Sequence, residues 1–105
     1  MNNKILIEVI VPLLEENFEI YIPVNKRIST VIKLIEKSLN EITNGYYPTQ
    51  KENSVIIDEE SGSVFDVNLT VKESKMINGS KIILIEERWW SWWTDGKQIQ
   101  KELWI

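Results

Sequence analysis

Two pairs of neighbouring carboxylates, Glu59-Glu60 and Glu86-Glu87, are the residues in this sequence nearest to a catalytic arrangement. Acid–base work by two carboxylates needs both to face one cleft with their pKa values driven apart. Successive side chains on a strand point to opposite faces, so Glu86 and Glu87 cannot make such a pair locally. Exposed surface charge accounts for both pairs. Asp58, Glu59, Glu60 and Asp66 could gather round a calcium ion, but their spacing is not that of an EF-hand loop. Gly62-Ser63 and Gly79-Ser80 are lone turn glycines outside any phosphate-loop pattern. There is no cysteine and no histidine. Zinc and iron–sulfur ligation, thiol nucleophiles and histidine acid–base chemistry therefore have no residues to use. The chain is expected not to be an enzyme and to hold no cofactor or metal.

What remains is binding. Four of the five tryptophans crowd into 88-RWWSWWTDG-96. The net charge of −4 argues against nucleic acid, whose binders show a basic stripe. Lys26, Arg27, Lys33 and Lys37 form a local basic cluster that reads as a solvated helix face. No stretch approaches the length of a membrane span. The opening MNNKILIEVIVPLL carries Glu8 inside its apolar run, which reads as a strand rather than a secretion signal. The lack of disulfides fits a reducing, cytoplasmic compartment. A length of 105 residues points to one domain.

The elements that must carry such a surface follow from periodicity. Ile5, Ile7, Val9 and Val11 alternate with Leu6, Glu8 and Ile10, which predicts a strand ended by Pro12. After the turn PLLEEN, 18-FEIYI-22 alternates again and completes a hairpin. The period then lengthens. Ile28, Val31, Ile32, Ile35, Leu39 and Ile42 mark one stripe of an α-helix. Asn25 or Ser29 is expected to cap its start, and Thr43-Asn44-Gly45 to end it. Lys33, Glu36 and Lys37 are expected in water. The stretch 45-GYYPTQKEN-53 reads as a loop, 54-SVIID-58 as a short strand, and 63-SVFDV-67 as another strand or an extended piece. A tight turn suits 69-LTVKESKM-76, Asn78-Gly79 is a turn dipeptide, and 80-SKIILIEE-87 is the last strand. This order predicts an α+β fold, with one helix across one face of a mixed sheet. The last strand should return parallel to the first.

Over roughly residues 4–86 the chain resembles the ubiquitin-like β-grasp proteins. The likeness is carried by ILIEVIV, by the strand-to-helix passage FEIYIPVNKRISTVIKLIEK, and by 71-VKESKMINGSKIILI-85. Val71 stands where those proteins usually have Leu, and Lys72-Glu73 where they have Ser-Asp, so the cap at that turn is expected to be weaker. Within the superfamily, Met76-Ile77-Asn78-Gly79-Ser80 is similar to the ITNGD-like turn of the YukD/EsaB family. That family accompanies the type VII secretion systems of Gram-positive bacteria. The resemblance implies a non-enzymatic accessory or regulatory protein, cytoplasmic or membrane-associated through a partner. The partners it implies are cytoplasmic domains of the membrane secretion apparatus. Protein modifiers and sulfur carriers of the same fold act through a free C-terminal Gly-Gly. No Gly-Gly occurs in this sequence, and Leu103-Trp104-Ile105 is bulky, so that alternative is disfavoured. A structural oligomerisation module is the other alternative.

On the last strand, Ile82 and Leu84 have the core phase, which turns Ile83 and Ile85 outward. Leu6 and Ile10 should join them from the neighbouring strand as an apolar, protein-binding patch. A register shift of one residue, or a covering tail, would remove it. The expected division is a ubiquitin-like domain over 1–87 and a Trp-rich extension over 88–105. If the last strand continues, Trp90 and Trp92 share the phase of Ile82 and Leu84, while Trp89 and Trp93 share that of Ile83 and Ile85. Beyond Asp95-Gly96, a return strand and a short helix started by Asp95 and Gln98 are both open readings. Trp89, Trp90, Trp92 and Trp93 are candidate binding residues with three possible roles. They could pack on their own sheet or on a second copy as a homodimer, anchor a partner, or sit at a bilayer interface.

Overall fold

The structure is a computed structural model and describes residues 3–48 and 53–86. β1 (Lys4–Val11) and β2 (Glu16–Pro23) form the expected hairpin, antiparallel from Lys4 opposite Pro23 to Val11 opposite Glu16. Between them Pro12–Leu14 make one turn of 3₁₀ helix. Proline suits the first helical position because its missing N–H would have had no partner there. α1 (Ile28–Ile42) follows, then β3 (Ser54–Asp58) and β4 (Lys81–Glu86). The sheet order is β2-β1-β4-β3. β4 runs parallel to β1 and antiparallel to β3, so the last strand returns to the middle of the sheet beside the first.

α1 lies on one face of this sheet. Ile28, Val31, Ile32, Ile35 and Leu39 are buried from the helix, and Ile7, Val9, Ile22, Ile56, Ile82 and Leu84 meet them from the strands. Full burial of each such side chain is worth about 1.5–3 kcal/mol, which makes this layer the main source of stability. Two helix positions differ from expectation. Ile42 is 57% exposed although it continues the stripe by spacing; it is the last helical residue, and Tyr47 joins the core cluster instead. Glu36, expected in water, is 2% exposed. It lies one turn beyond Ile32, on the flank of the buried stripe.

The helix start also differs. Arg27 is the N-cap and its side chain makes no capping bond; neither Asn25 nor Ser29 takes that role. The backbone N–H groups of Ile28 and Ser29 donate instead to the carbonyls of Leu69 and Val67, at 2.8 and 3.1 Å. A loop distant in sequence thus satisfies donors that a local side chain would normally take. At the other end Asn44 and Gly45 both have positive φ, and the Gly45 N–H donates to Asn40 O at 2.8 Å. The turn after Thr70 is firmly closed, contrary to the weaker cap expected. The Thr70 N–H donates to Glu73 Oε1 at 2.9 Å, and the Glu73 N–H donates to Thr70 Oγ1 at 3.1 Å. This reciprocal capping box explains why the turn tolerates the altered Lys72-Glu73 pair. Of 63–67, only Val64 pairs, bridging Ile57. Among the described residues no helix is long and apolar enough to cross a membrane. The proposed extension 88–105 lies outside the described residues.

Candidate functional site

The face of the sheet opposite α1 is set by the strand registers. Ile10 pairs with Ile83 across the parallel β1–β4 step, and Ile83 and Ile85 pair with Ile57 and Val55 on β3. Directly paired residues share a face. Since Ile82, Leu84, Ile56 and Val9 belong to the helix-side core, their neighbours Ile83, Ile85, Val55, Ile57 and Ile10 point to the other side. Ile10, Ile83 and Ile85 are half-buried there, whereas Val55 and Ile57 are 7% and 3% exposed. Val64, bridged to Ile57, extends the apolar row beyond β3.

Leu6 shares this face but stands apart from the group. The row between Leu6 and Ile10 is polar, with Glu8 opposite Lys81 on one side and Glu19 on the other. The Asn17 side-chain amide donates to Glu8 Oε2 at 2.7 Å. Leu6 is paired with the exposed Tyr21 on β2. Its backbone N–H donates to Asn78 Oδ1 at 2.7 Å, and its carbonyl accepts from the Gly79 N–H at 2.7 Å. The Asn-Gly turn is thereby fastened to β1 and delivers the chain into the parallel pair. Gly79, with φ of 92°, supplies the backbone shape needed there. The structure therefore gathers three of the four predicted strand residues and sets Leu6 beyond a charged row. Trp89, Trp90, Trp92 and Trp93 lie outside the described residues.

Val55 and Ile57 were not among the residues expected at this face. Their signal was present: 55-VII-57 is an unbroken apolar run, the pattern of a strand covered on both sides rather than one.

A second feature ties the helix to β3. The Ser54 hydroxyl donates to Glu36 Oε2 at 2.6 Å. Beside it the Tyr47 phenol is held well above its ordinary pKa, first by burial and then by the negative charges of Glu36 and Glu86. Tyr47 is fixed from both ends of its backbone: its N–H donates to Thr43 Oγ1 at 2.9 Å and its carbonyl accepts from the Asn40 amide at 2.7 Å. The arrangement locks the 43–48 loop under the helix end.

Of the acidic residues considered for calcium, Asp66 stands apart from the other three. Asp58, Glu59 and Glu60 line a shallow depression of about 360 Å³ with Ile77, Gly79, Ser80 and Lys81. Asp58 Oδ2 accepts from the Ser61 hydroxyl at 2.8 Å, and Asp66 Oδ1 accepts from the Asn68 N–H at 2.9 Å. Each of these two is thus occupied in its own turn. Among the described residues no group of three or more acidic, His or Cys side chains could hold a metal ion.

No protein family model matches the chain, and no curated protein matches it in sequence. Solved structures do. The EccD5 ubiquitin-like domain from Mycobacterium xenopi aligns with a TM-score of 0.64 at 15% identity, covering 81% of this chain and 98% of that one. The fold is the ubiquitin-like β-grasp. The ubiquitin-like domain of EccD1, a type VII secretion protein of Mycobacterium tuberculosis, aligns with a TM-score of 0.63 at 10% identity, covering 82% of this chain and 100% of that one. A chain of an ESX-5 inner membrane complex aligns with a TM-score of 0.58 at 12% identity over 80% of this chain and 21% of that much longer one. At such identities the likeness is one of fold.

Proposed function

We propose that this ubiquitin-like β-grasp domain is a non-enzymatic interaction module of a bacterial type VII secretion system. Its role is that of a YukD/EsaB-like accessory or regulatory protein. One observation carries the reading: the described domain superposes on the ubiquitin-like domains of two secretion components over nearly their whole length. Its binding surface is the apolar group Ile10, Ile83 and Ile85 with Val55 and Ile57, opposite the helix. Aliphatic side chains with a charged rim are the chemistry of a protein partner. That partner is a cytoplasmic domain of the membrane apparatus, so the protein is cytoplasmic or reaches the membrane through it.

The test is affinity capture of the full chain from a secreting Gram-positive host, with the face variant Ile83→Lys in parallel. Recovery of an apparatus component by the unaltered chain, and its loss with the variant, is the expected result. Capture that recovers no apparatus component refutes the reading.

A further inference from the structure

The two edges of the sheet are finished differently. β3 forms one edge, and the 63–65 segment runs along it. The Asp58 N–H donates to Ser63 O at 2.8 Å, the Phe65 N–H donates to Ile56 O at 3.0 Å, and Val64 bridges Ile57. β2 forms the other edge and has no such cover among the described residues. Proteins commonly protect an edge with lysine, an internal proline or a bulge. 16-ENFEIYIP-23 has no lysine, its proline is its last residue, and its register with β1 is unbroken. The ladder shows which groups stand open. The Val24 N–H donates to Asn3 O at 2.8 Å, one pair beyond Lys4–Pro23. Bonded pairs recur at every second residue of an antiparallel ladder, which makes Ile5–Ile22, Ile7–Ile20 and Val9–Phe18 the bonded ones. The backbone N–H and C=O groups of Asn17, Glu19 and Tyr21 therefore face away from β1. Side chains flank this open row on both faces. On the helix side Phe18 and Ile20 are half-buried. Glu36 is tied to Ser54 on β3, so the side of α1 about 200° round from it, with Leu34 and Ser38, overhangs β2. Leu34 and Ile42 on that flank are 42% and 57% exposed. On the far face Glu19 and Tyr21 are exposed, with Glu8 directly behind Glu19.

We propose that the β2 edge docks an extended segment of another protein, which joins the sheet as a further strand and alternates aliphatic with basic residues. Main-chain bonds to Asn17, Glu19 and Tyr21 hold such a segment, and its alternate side chains meet two different surfaces. The aliphatic ones lie on Phe18 and Ile20 beneath Leu34. The basic ones face the Glu19 carboxylate and the exposed Tyr21 ring, an ion pair and a cation–π contact. Charge selects this occupant over a second copy. Two β2 strands can use all three open positions on both sides only in the register centred on Glu19. That register sets Glu19 directly against Glu19, and like charges directly opposite each other are destabilising. A segment with lysine or arginine at that place turns the same position into an attraction. The inference rests on the edge and not on the secretion reading.

The probe is a capped synthetic peptide of alternating valine and lysine, titrated into the full chain and followed by amide and methyl NMR, with light scattering in parallel. Saturable shifts should gather on the Asn17, Glu19 and Tyr21 amides and the Leu34 methyls, and hydrogen exchange of those three amides should slow by about tenfold or more. The same peptide methylated at every backbone nitrogen keeps its side chains and charge but has no donors, and should not bind. Glu19→Lys should weaken binding about tenfold, because an opposite-charge pair becomes a like-charge pair. This variant does not threaten the fold, since Glu19 is exposed and stands opposite Glu8. Glu60→Lys makes the same charge change at an exposed site off this edge and should leave binding nearly unchanged. Equal weakening by the two variants, or equal binding of the methylated peptide or of a valine–glutamate peptide, overturns the proposal. So does the absence of saturable shifts. Protection of the three amides without peptide, in a chain that scatters as a dimer, also overturns it and assigns the edge to a second copy. The apolar group around Ile83 takes no part, so a capture experiment that finds no secretion partner leaves this result untouched.

Discussion

Leu39 and Ile42 lie three residues apart on what the sequence presents as one stripe of α1, and the structure separates them. Leu39 is fully buried in the core cluster, while Ile42 is 57% exposed at the helix end. Truncating both to alanine therefore makes a sharp comparison. Leu39→Ala removes buried methyl groups and leaves space that a packed layer only partly refills, at a cost of about 2–5 kcal/mol. A domain of this size has a total stability of about 5–15 kcal/mol, so the loss is a large fraction. Each kcal/mol moves the melting temperature of such a domain by about 4–8 °C, and the variant should melt at least about 8 °C lower. Ile42→Ala gives up little burial and gains helix propensity, so its change should stay within about 0.5 kcal/mol. The assay is urea unfolding followed by far-ultraviolet circular dichroism, with equal m-values required before midpoints are compared. Equal destabilisation by the two variants would refute the assigned orientation of the helix.

Three further outcomes follow from single contacts. Thr70→Ala removes one half of the Thr70–Glu73 capping box and should cost about 1 kcal/mol in the same unfolding assay. Ser54→Ala takes from the buried Glu36 the hydroxyl that donates to it at 2.6 Å, and should cost about 1–3 kcal/mol. Tyr47 gives a pH signature. Its folded-state pKa is raised above the ordinary value of 10.0. Its contribution is thus fully present below pH 10, where both states keep the proton, and is lost as the unfolded chain ionises first at higher pH. Stability should fall as pH rises above about 10, and Tyr47→Phe should flatten the fall.

The parts of this fold legible in the sequence are those set by period. Alternation over Ile5–Val11 and over Lys81–Ile85 fixed both the strands and their core phase, because a slip of one residue would have moved every buried side chain to the other face. The helix was legible for the same reason. What was not legible depends on partners distant in the chain. No local pattern reveals that the Leu69 and Val67 carbonyls will receive the first helical N–H groups, so a side-chain cap was expected where none was needed. Glu36 between Lys33 and Lys37 reads as a water-facing charge. The arrival of Ser54 eighteen residues later supplies a hydrogen-bond donor to this buried carboxylate.

The candidate face shows the same division one level up. Phase alone put Ile10, Ile83 and Ile85 on the side away from the helix, but it could not say how they were spaced across strands. Register does that, and it inserts Glu8, Lys81 and Glu19 between Leu6 and the rest. The consequence is testable within the face itself. Leu6→Lys changes a half-buried residue beside exposed Tyr21, beyond the charged row. Ile83→Lys places an ammonium between Ile10 and Ile57. A charge set among apolar side chains without a partner is costly, whereas one at a polar rim stays hydrated. If the apolar group is one surface with Leu6 outside it, Ile83→Lys should abolish whatever occupies that face and Leu6→Lys should leave it in place. Equal loss of the captured partner from both would show that the charged row does not divide the face.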